Sequence, residues 1–178
     1  MPSHIRSVSS LLRRFRRNRG GSAVVEFALV APMFFALLFA IIETALMFYA
    51  SQVLETVTQD SARMIMTGQA QNAAYTQAQF KTLVCSKVVA LFDCVNGISI
   101  DVQSYSAFSS VNVANPIDAS KNFTNPNNFS PGTAGDIVVV RIFYQWPILV
   151  TKFGYDITNL AGSKRLLTAT AAFQNEPF

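Results

Sequence analysis

The chain has 178 residues, of which 51% are hydrophobic, and a net charge of +4 at pH 7. That length allows one ordinary domain and an appendage, and the apolar content exceeds that of a typical soluble protein. Six arginines lie before Gly20, and the rest of the chain holds eight basic and ten acidic residues. The basic charge therefore belongs to the N-terminus, and a nucleic-acid partner is not expected.

The first 21 residues read as a basic leader in front of an apolar run. Residues 27–42 are apolar throughout apart from Pro32. A helix over residues 25–47 would be about 30 to 35 Å long, which is enough to cross a bilayer. Because arginine clusters stay on the cytoplasmic side, this single transmembrane helix is expected to place the following residues outside.

Three kinds of membrane-targeting N-terminus fit this pattern to different degrees. A cleavable secretory signal, including a twin-arginine signal, needs small residues at a cleavage site beyond the apolar run, and ETALMFYASQ at residues 43–52 does not supply them. An uncut signal anchor explains the arginines but not Glu26, since a carboxylate on a membrane helix costs several kcal/mol. A position in the first helical turn, near water and favoured by the helix dipole, would explain that acid without any further role.

The third kind explains both the glycines and the acid. The sequence GSAVVEF at residues 21–27 resembles the processing site of type IV prepilins and pseudopilins. That resemblance implies a cut between Gly21 and Ser22, on the cytoplasmic side, with Glu26 and Phe27 completing the recognition motif. Glu26 would become the fifth mature residue and would meet the charged amino terminus of a neighbouring subunit, so that each group neutralises the other in lipid.

A second acid, Glu43, follows the apolar run. It lies 17 residues after Glu26, or about 25 Å along a helix, and is therefore expected near the outer membrane interface. Its side chain could reach the lipid headgroups, or it could make a polar contact to another transmembrane helix.

The helix is expected to continue beyond the membrane to Thr67. Apolar and small residues recur there at steps of three and four, and Gly68 ends the run. One helix over residues 22–67 follows, with its second half packed against an outer domain formed by residues 68–178. The residues of the expected packing stripe are Leu46, Ala50, Val53, Val57, Ser61 and Met64.

A second helix is expected over residues 73–92. Phe80, Val84, Val88 and Leu91 share one of its faces. Cys85 and Cys94 are the two cysteines of the chain, and in an oxidising space outside the membrane their spacing favours a local disulfide over a metal pair.

Three strands are expected in the outer domain. Alternating residues predict one from Ile98 onward, a second lies in GDIVVVRIFYQWPIL at residues 135–149 and stops at Pro147, and a third covers residues 165–173. Two helices beside strands in hairpin-like order indicate an antiparallel α+β domain. Residues 104–135, rich in Ser, Asn and Pro, predict a long irregular loop, in which Phe123 and Phe129 either pack on their own domain or dock on a partner.

The order of these parts resembles the TadE-like proteins, pseudopilins or minor pilins of bacterial tight-adherence (Flp, type IVb) pilus systems. The resemblance rests on residues 21–68 and on AFQNEPF at the C-terminus. Relatives carry an arginine where this chain has Gln174, and the terminal motif continues here as Asn175, Glu176, Pro177 and Phe178.

The resemblance implies a pilin-like fold and a non-catalytic component of the pilus assembly machine in the bacterial inner membrane. Its N-terminus would be cytoplasmic and its outer domain periplasmic. Its implied partners are the prepilin peptidase, other pilins or pseudopilins, and the inner-membrane assembly platform. Methylation of Ser22 stays open, as does entry of the chain into the filament. The main alternative is an uncut, single-pass anchored adaptor or binding module of the periplasm.

An enzyme is not expected. The one histidine is His4 in the leader, so the outer domain lacks the usual general base and a completed zinc site. Its aspartates show no spacing of a paired catalytic site. Neither a metal nor a cofactor is therefore predicted.

Overall fold

The computed structural model describes residue 13 and residues 21–88, 92–150 and 156–178. Apart from Arg13 and Gly21, the predicted leader lies outside the described residues. The long helix is confirmed: α1 runs over Ser22–Met66, with Pro32 inside it. The chain divides between Ile41 and Ile42 into two compact units, and we call the second, from Ile42 onward, the outer unit.

α1 ends at a glycine, as the sequence predicts. Gly68 has φ 74°, a left-handed conformation that glycine adopts without the steric cost of a side chain. Its N–H donates to the Ile65 carbonyl at 3.0 Å. A short helix, α2, follows at Gln69–Asn72.

The second predicted helix is shorter than expected. α3 covers Gln77–Lys87, because Thr76 caps its first turn and forms a reciprocal capping box with Gln79. Val88 is already extended, with ψ 136°. Residues 89–91, which include Leu91, lie outside the described residues, and Cys94–Gly97 forms a further helical turn, α4.

All three strands are confirmed. They are β1 at Ile98–Tyr105, β2 at Ile137–Pro147 and β3 at Lys164–Gln174. They form an antiparallel sheet in the order β1-β2-β3. The α+β class is therefore correct.

The main core lies on one face of this sheet. It is built from alternate strand residues, from α3 and from the second half of α1, whose fully covered side chains include Leu54 and Ile65. The predicted α1 stripe is right at Ala50, Val57 and Ser61 but wrong at Leu46, which is 45% exposed. Apolar residues flank the stripe on both sides, so the spacing alone does not say which of two adjoining faces is covered.

The connection between β1 and β2 contacts both faces of the sheet, since Phe123 packs against the small cluster that contains Phe143 and Phe129 packs against the main core. Its one helical element among the described residues is the 3-10 helix Phe108–Ser110. Phe123 packs on Phe143 and Phe129 packs on Phe80, with ring centroids 5.4 and 5.5 Å apart. Both phenylalanines therefore hold the connection to its own domain.

Candidate functional site

The GSAVVEF motif lies at the start of α1. Gly21 directly precedes the helix, and a Cβ placed on it would meet no atom of the described residues within 4 Å. Glu26 is the fifth helical residue, and the first turn holds no acid. The helix dipole acts mainly on the first turn, so dipole stabilisation alone is a weak explanation for Glu26.

The first half of α1 exposes nearly all of its apolar side chains. Within Val24–Ile42 the exposed fraction reaches 81% at Met33. α1 is long and apolar enough to cross a membrane, and none of its most apolar window is buried. A continuous apolar surface of this extent is not expected in contact with water, so this helix is compatible with a single-pass membrane anchor.

Glu43 occupies a built site rather than an open surface. Its side chain is buried, at 8% exposed. The backbone N–H of Leu149 donates to one carboxyl oxygen of Glu43, and that of Val150 donates to the other at 3.0 Å. Neither alternative drawn from the sequence includes this partner within the chain, and a contact of Glu43 to another transmembrane helix stays a prediction.

A buried ion pair fixes the connection on the second face of the sheet. Asp101 and Arg141 are direct partners in the β1–β2 register, and the Arg141 guanidinium donates to Asp101 Oδ2 at 2.6 Å. Asn128 Nδ2 donates to the other Asp101 oxygen at 2.7 Å, and Arg141 also donates to the Ala114 carbonyl. The pair therefore ties two points of the connection to the sheet.

These contacts change the ionisation of Asp101. Burial opposes its charged form, but the hydrogen bonds from Asn128, Arg141 and Gln103 and the charge of Arg141 outweigh burial. The pKa of Asp101 is thereby held below its ordinary value. The sequence contains both residues but no sign that they pair, because the register across a long connection is not visible in it.

The predicted disulfide is present. Cys85 on α3 is bonded to Cys94 at the start of α4, with 5.6 Å between their Cα atoms. The disulfide thus joins a residue before positions 89–91 to a residue after them. A disulfide here fits an oxidising compartment.

The C-terminal motif contacts the end of α1. The Glu176 N–H donates to the Met66 carbonyl at 2.9 Å, and the Phe178 ring lies so close to Gly68 that a Cβ there would be 2.3 Å from it. Asn175 is buried, and its Nδ2 donates to the carbonyls of Pro131 and Thr133. The two segments that carry the family resemblance therefore meet in space.

Comparison with protein families gives a match over the N-terminal part of the chain. Residues 21–63 match the model of the family described as TadE-like protein. The match begins at Gly21 and ends within α1, so the arginine-rich residues and the sheet lie outside it. No curated protein and no solved structure matches the chain.

Proposed function

We propose that this TadE-like protein of the tight-adherence pilus system is a pseudopilin or minor pilin that takes part in pilus assembly without catalysing a reaction. The observation that carries the proposal is the family match over residues 21–63. The exposed apolar surface of α1 supports it, because pilins use such a helix both to reside in the membrane and to contact one another. Its partners would be other pilins or pseudopilins and the assembly platform of the inner membrane.

The chain is proposed to be cut by the prepilin peptidase between Gly21 and Ser22. Several features support this site. Gly21 lies at the start of the family match, directly before α1, and none of the side chains that the structure describes crowds it. Arginines precede it, and Glu26 and Phe27 follow at the positions of the prepilin motif.

The role proposed for Glu26 follows from the cut. Cleavage would create a charged amine at Ser22, and an amine and a carboxylate are each costly in lipid but much less so as a pair. Pairing between neighbouring subunits would therefore favour assembly over separate insertion. The same acid on an uncut chain would have no new amine to meet.

The proposed orientation places the N-terminus in the cytoplasm and residues 68–178 in the periplasm. The arginines before α1 support this direction by the positive-inside rule. The disulfide between Cys85 and Cys94 supports it independently, because such bonds persist in the periplasm and are rare in the cytosol.

The cut is tested by substituting Gly21 and comparing the intact mass of the chain with and without the peptidase. Gly21→Val should block processing, and because the position is open, the helix and the outer unit should fold as before. Ala23→Val, a matched change at another exposed position, should be processed like the native chain. Native protein that retains its arginines in the presence of an active peptidase would overturn the proposal and favour the uncut anchored adaptor.

A further inference from the structure

Glu43 contacts the segment formed by residues 147–150. The proposed function does not explain why this segment is held against α1. The segment reads PILV, which is wholly apolar. It begins at Pro147, the last residue of β2, and is held against α1 by the two hydrogen bonds to the Glu43 carboxyl group. We call residues 147–150 the PILV segment.

The PILV segment presents no free backbone N–H. Pro147 has none, the Ile148 N–H donates to the Ser163 carbonyl at 2.9 Å, and the N–H groups of Leu149 and Val150 donate to Glu43. An unsatisfied amide costs several kcal/mol in hydrocarbon, so irregular backbone enters a bilayer only where its polar groups have partners. A water-exposed turn has no such need, because water serves its amides.

The side chains of this region divide into buried and exposed ones. Ile148 is buried in the core, whereas Leu149 is 83% exposed, the largest value among the exposed apolar residues of the described chain. Around Glu43, α1 also exposes Ile42, Leu46, Phe48 and Tyr49. These residues and Leu149 belong to the same compact unit, and the helical ones continue the apolar surface of the membrane helix.

We propose that the PILV segment is a second membrane contact, in which Leu149 inserts into the outer leaflet beside α1 while Glu43 satisfies the amides behind it. The proposal rests on the membrane anchoring in the proposed function. This proposal gives Glu43 a role near the outer membrane interface. Its carboxyl group accepts the two backbone hydrogen bonds that allow irregular backbone to lie in that interface. The occupant of this surface is lipid, because its exposed residues are apolar and uncharged, continue the apolar run of α1, and leave no free backbone N–H to donate to a protein strand.

The aromatic residues nearby agree with this placement. Tyr49 is exposed on α1 and Trp146, half-buried, directly precedes the PILV segment. Tyrosine and tryptophan are enriched where a protein crosses from hydrocarbon to headgroups. Tyr49 lies six residues after Glu43 on α1, and Trp146 lies three residues before Leu149.

The test uses single-tryptophan variants of the full chain in phosphatidylcholine–phosphatidylglycerol vesicles that contain lipids with brominated acyl chains. Trp146 is the one tryptophan of the chain, so Trp146→Phe gives a silent background. In it, Leu149→Trp places a reporter in the PILV segment and Phe108→Trp provides a control that is also exposed, at 64% in the native residue. The control lies just beyond the other end of the sheet, and β2 alone separates the two ends by roughly 30 Å.

The expected result is strong quenching of the tryptophan at 149 and little at 108. If the chain floats with the vesicles but the two reporters are quenched equally weakly, the second contact is wrong and the membrane anchor stands. If the chain does not float with the vesicles at all, membrane anchoring fails and the second contact fails with it.

A further variant tests the role of Glu43. Adding Glu43→Ala to the Leu149→Trp protein removes the acceptor of two amides, and quenching at 149 should fall toward that of the control. Glu43→Gln keeps an acceptor oxygen and should retain more of the quenching. Unchanged quenching in the alanine variant would show that the amides do not need Glu43, and would overturn its part in the contact. The intact disulfide and the far-UV circular dichroism report whether each variant is folded.

Discussion

The two halves of α1 are both rich in apolar residues, but they differ in how much of that surface the chain covers. Residues 24–42 leave side chains such as Leu29 76% exposed, whereas Leu54 and Ile65, farther along the same helix, are completely buried. Polar residues in the second half, among them Gln52, Glu55 and Gln59, restrict its apolar residues to one face. Apolar content alone therefore does not tell where the membrane segment ends, and the return of a polar face does.

The largest expected effect comes from truncating a leucine to alanine in each half of α1. Leu54→Ala should lower the free energy of unfolding of the outer unit by about 2–5 kcal/mol, because it opens a cavity in a closed core. Leu29→Ala should change it by less than about 0.5 kcal/mol. Chemical denaturation in detergent, followed by near-UV circular dichroism, measures both. Equal losses of unfolding free energy in the two variants would contradict the difference in burial between the two halves of α1.

The disulfide offers a second test of the comparison between the two halves of α1, because only the covered half packs against the core that the disulfide stabilises. Replacing both Cys85 and Cys94 by serine should reduce the free energy of unfolding of the outer unit by about 2–3 kcal/mol, since the bond closes a short loop. Flotation of the protein with vesicles should not change. Loss of flotation in the double variant would show that the anchor depends on the outer unit.

The buried ion pair makes stability depend on pH in a defined direction. The pKa of Asp101 is lower in the folded chain than its ordinary value of 3.8. Its contribution is therefore fully present above about pH 4 and is lost as the pH falls through the folded pKa. The free energy of unfolding, measured between pH 7 and pH 3, should decrease in acid.

The matched variant for the pH dependence is Asp101→Asn, which should be less stable at neutral pH and should show a flatter acid response. Asp118 and Asp156 also have lowered pKa values, through hydrogen bonds with Asn122 and Thr158 respectively, but both are fully exposed. The difference between the two curves therefore isolates Asp101. Parallel curves would contradict the role of the pair.

The smallest expected effect is at the start of α3. The Thr76 hydroxyl accepts from the Gln79 N–H at 3.3 Å, and Thr76→Ala should cost about 1 kcal/mol. Thr82→Ala, an exposed position later in the same helix, should change the free energy of unfolding by less than about 0.5 kcal/mol. If Thr76→Ala lowers the free energy of unfolding no more than Thr82→Ala does, the cap does not explain why α3 begins as late as Gln77.

Much of the fold was predictable because its periodicities are strong. The alternation of Ile98, Ile100 and Val102 predicts β1, and the glycine at 68 predicts the end of α1. The start of α3 could also have been found, since Thr76 and Gln79 have the spacing of a capping box. The apolar spacing alone places the start of this helix too early, at residue 73, because it does not include the cap.

The polar sites were less predictable, because they depend on which strands pair and in what register. Asp101 and Arg141 are separated along the chain by a long irregular connection, and Glu43 is far from Leu149 in sequence. No local pattern links such residues. The apolar PILV segment was visible as a stretch of sequence, but its satisfied amides are a property of the folded chain.

The mature N-terminus tests the proposed function most directly, because that proposal explains the exposed half of α1 by membrane insertion and pilus assembly after processing. The intact mass of the native chain, extracted from membranes that contain its own peptidase, distinguishes the two possibilities. The account predicts a chain that begins at Ser22, four residues before Glu26. A chain that still carries the arginines before Gly20 would contradict it.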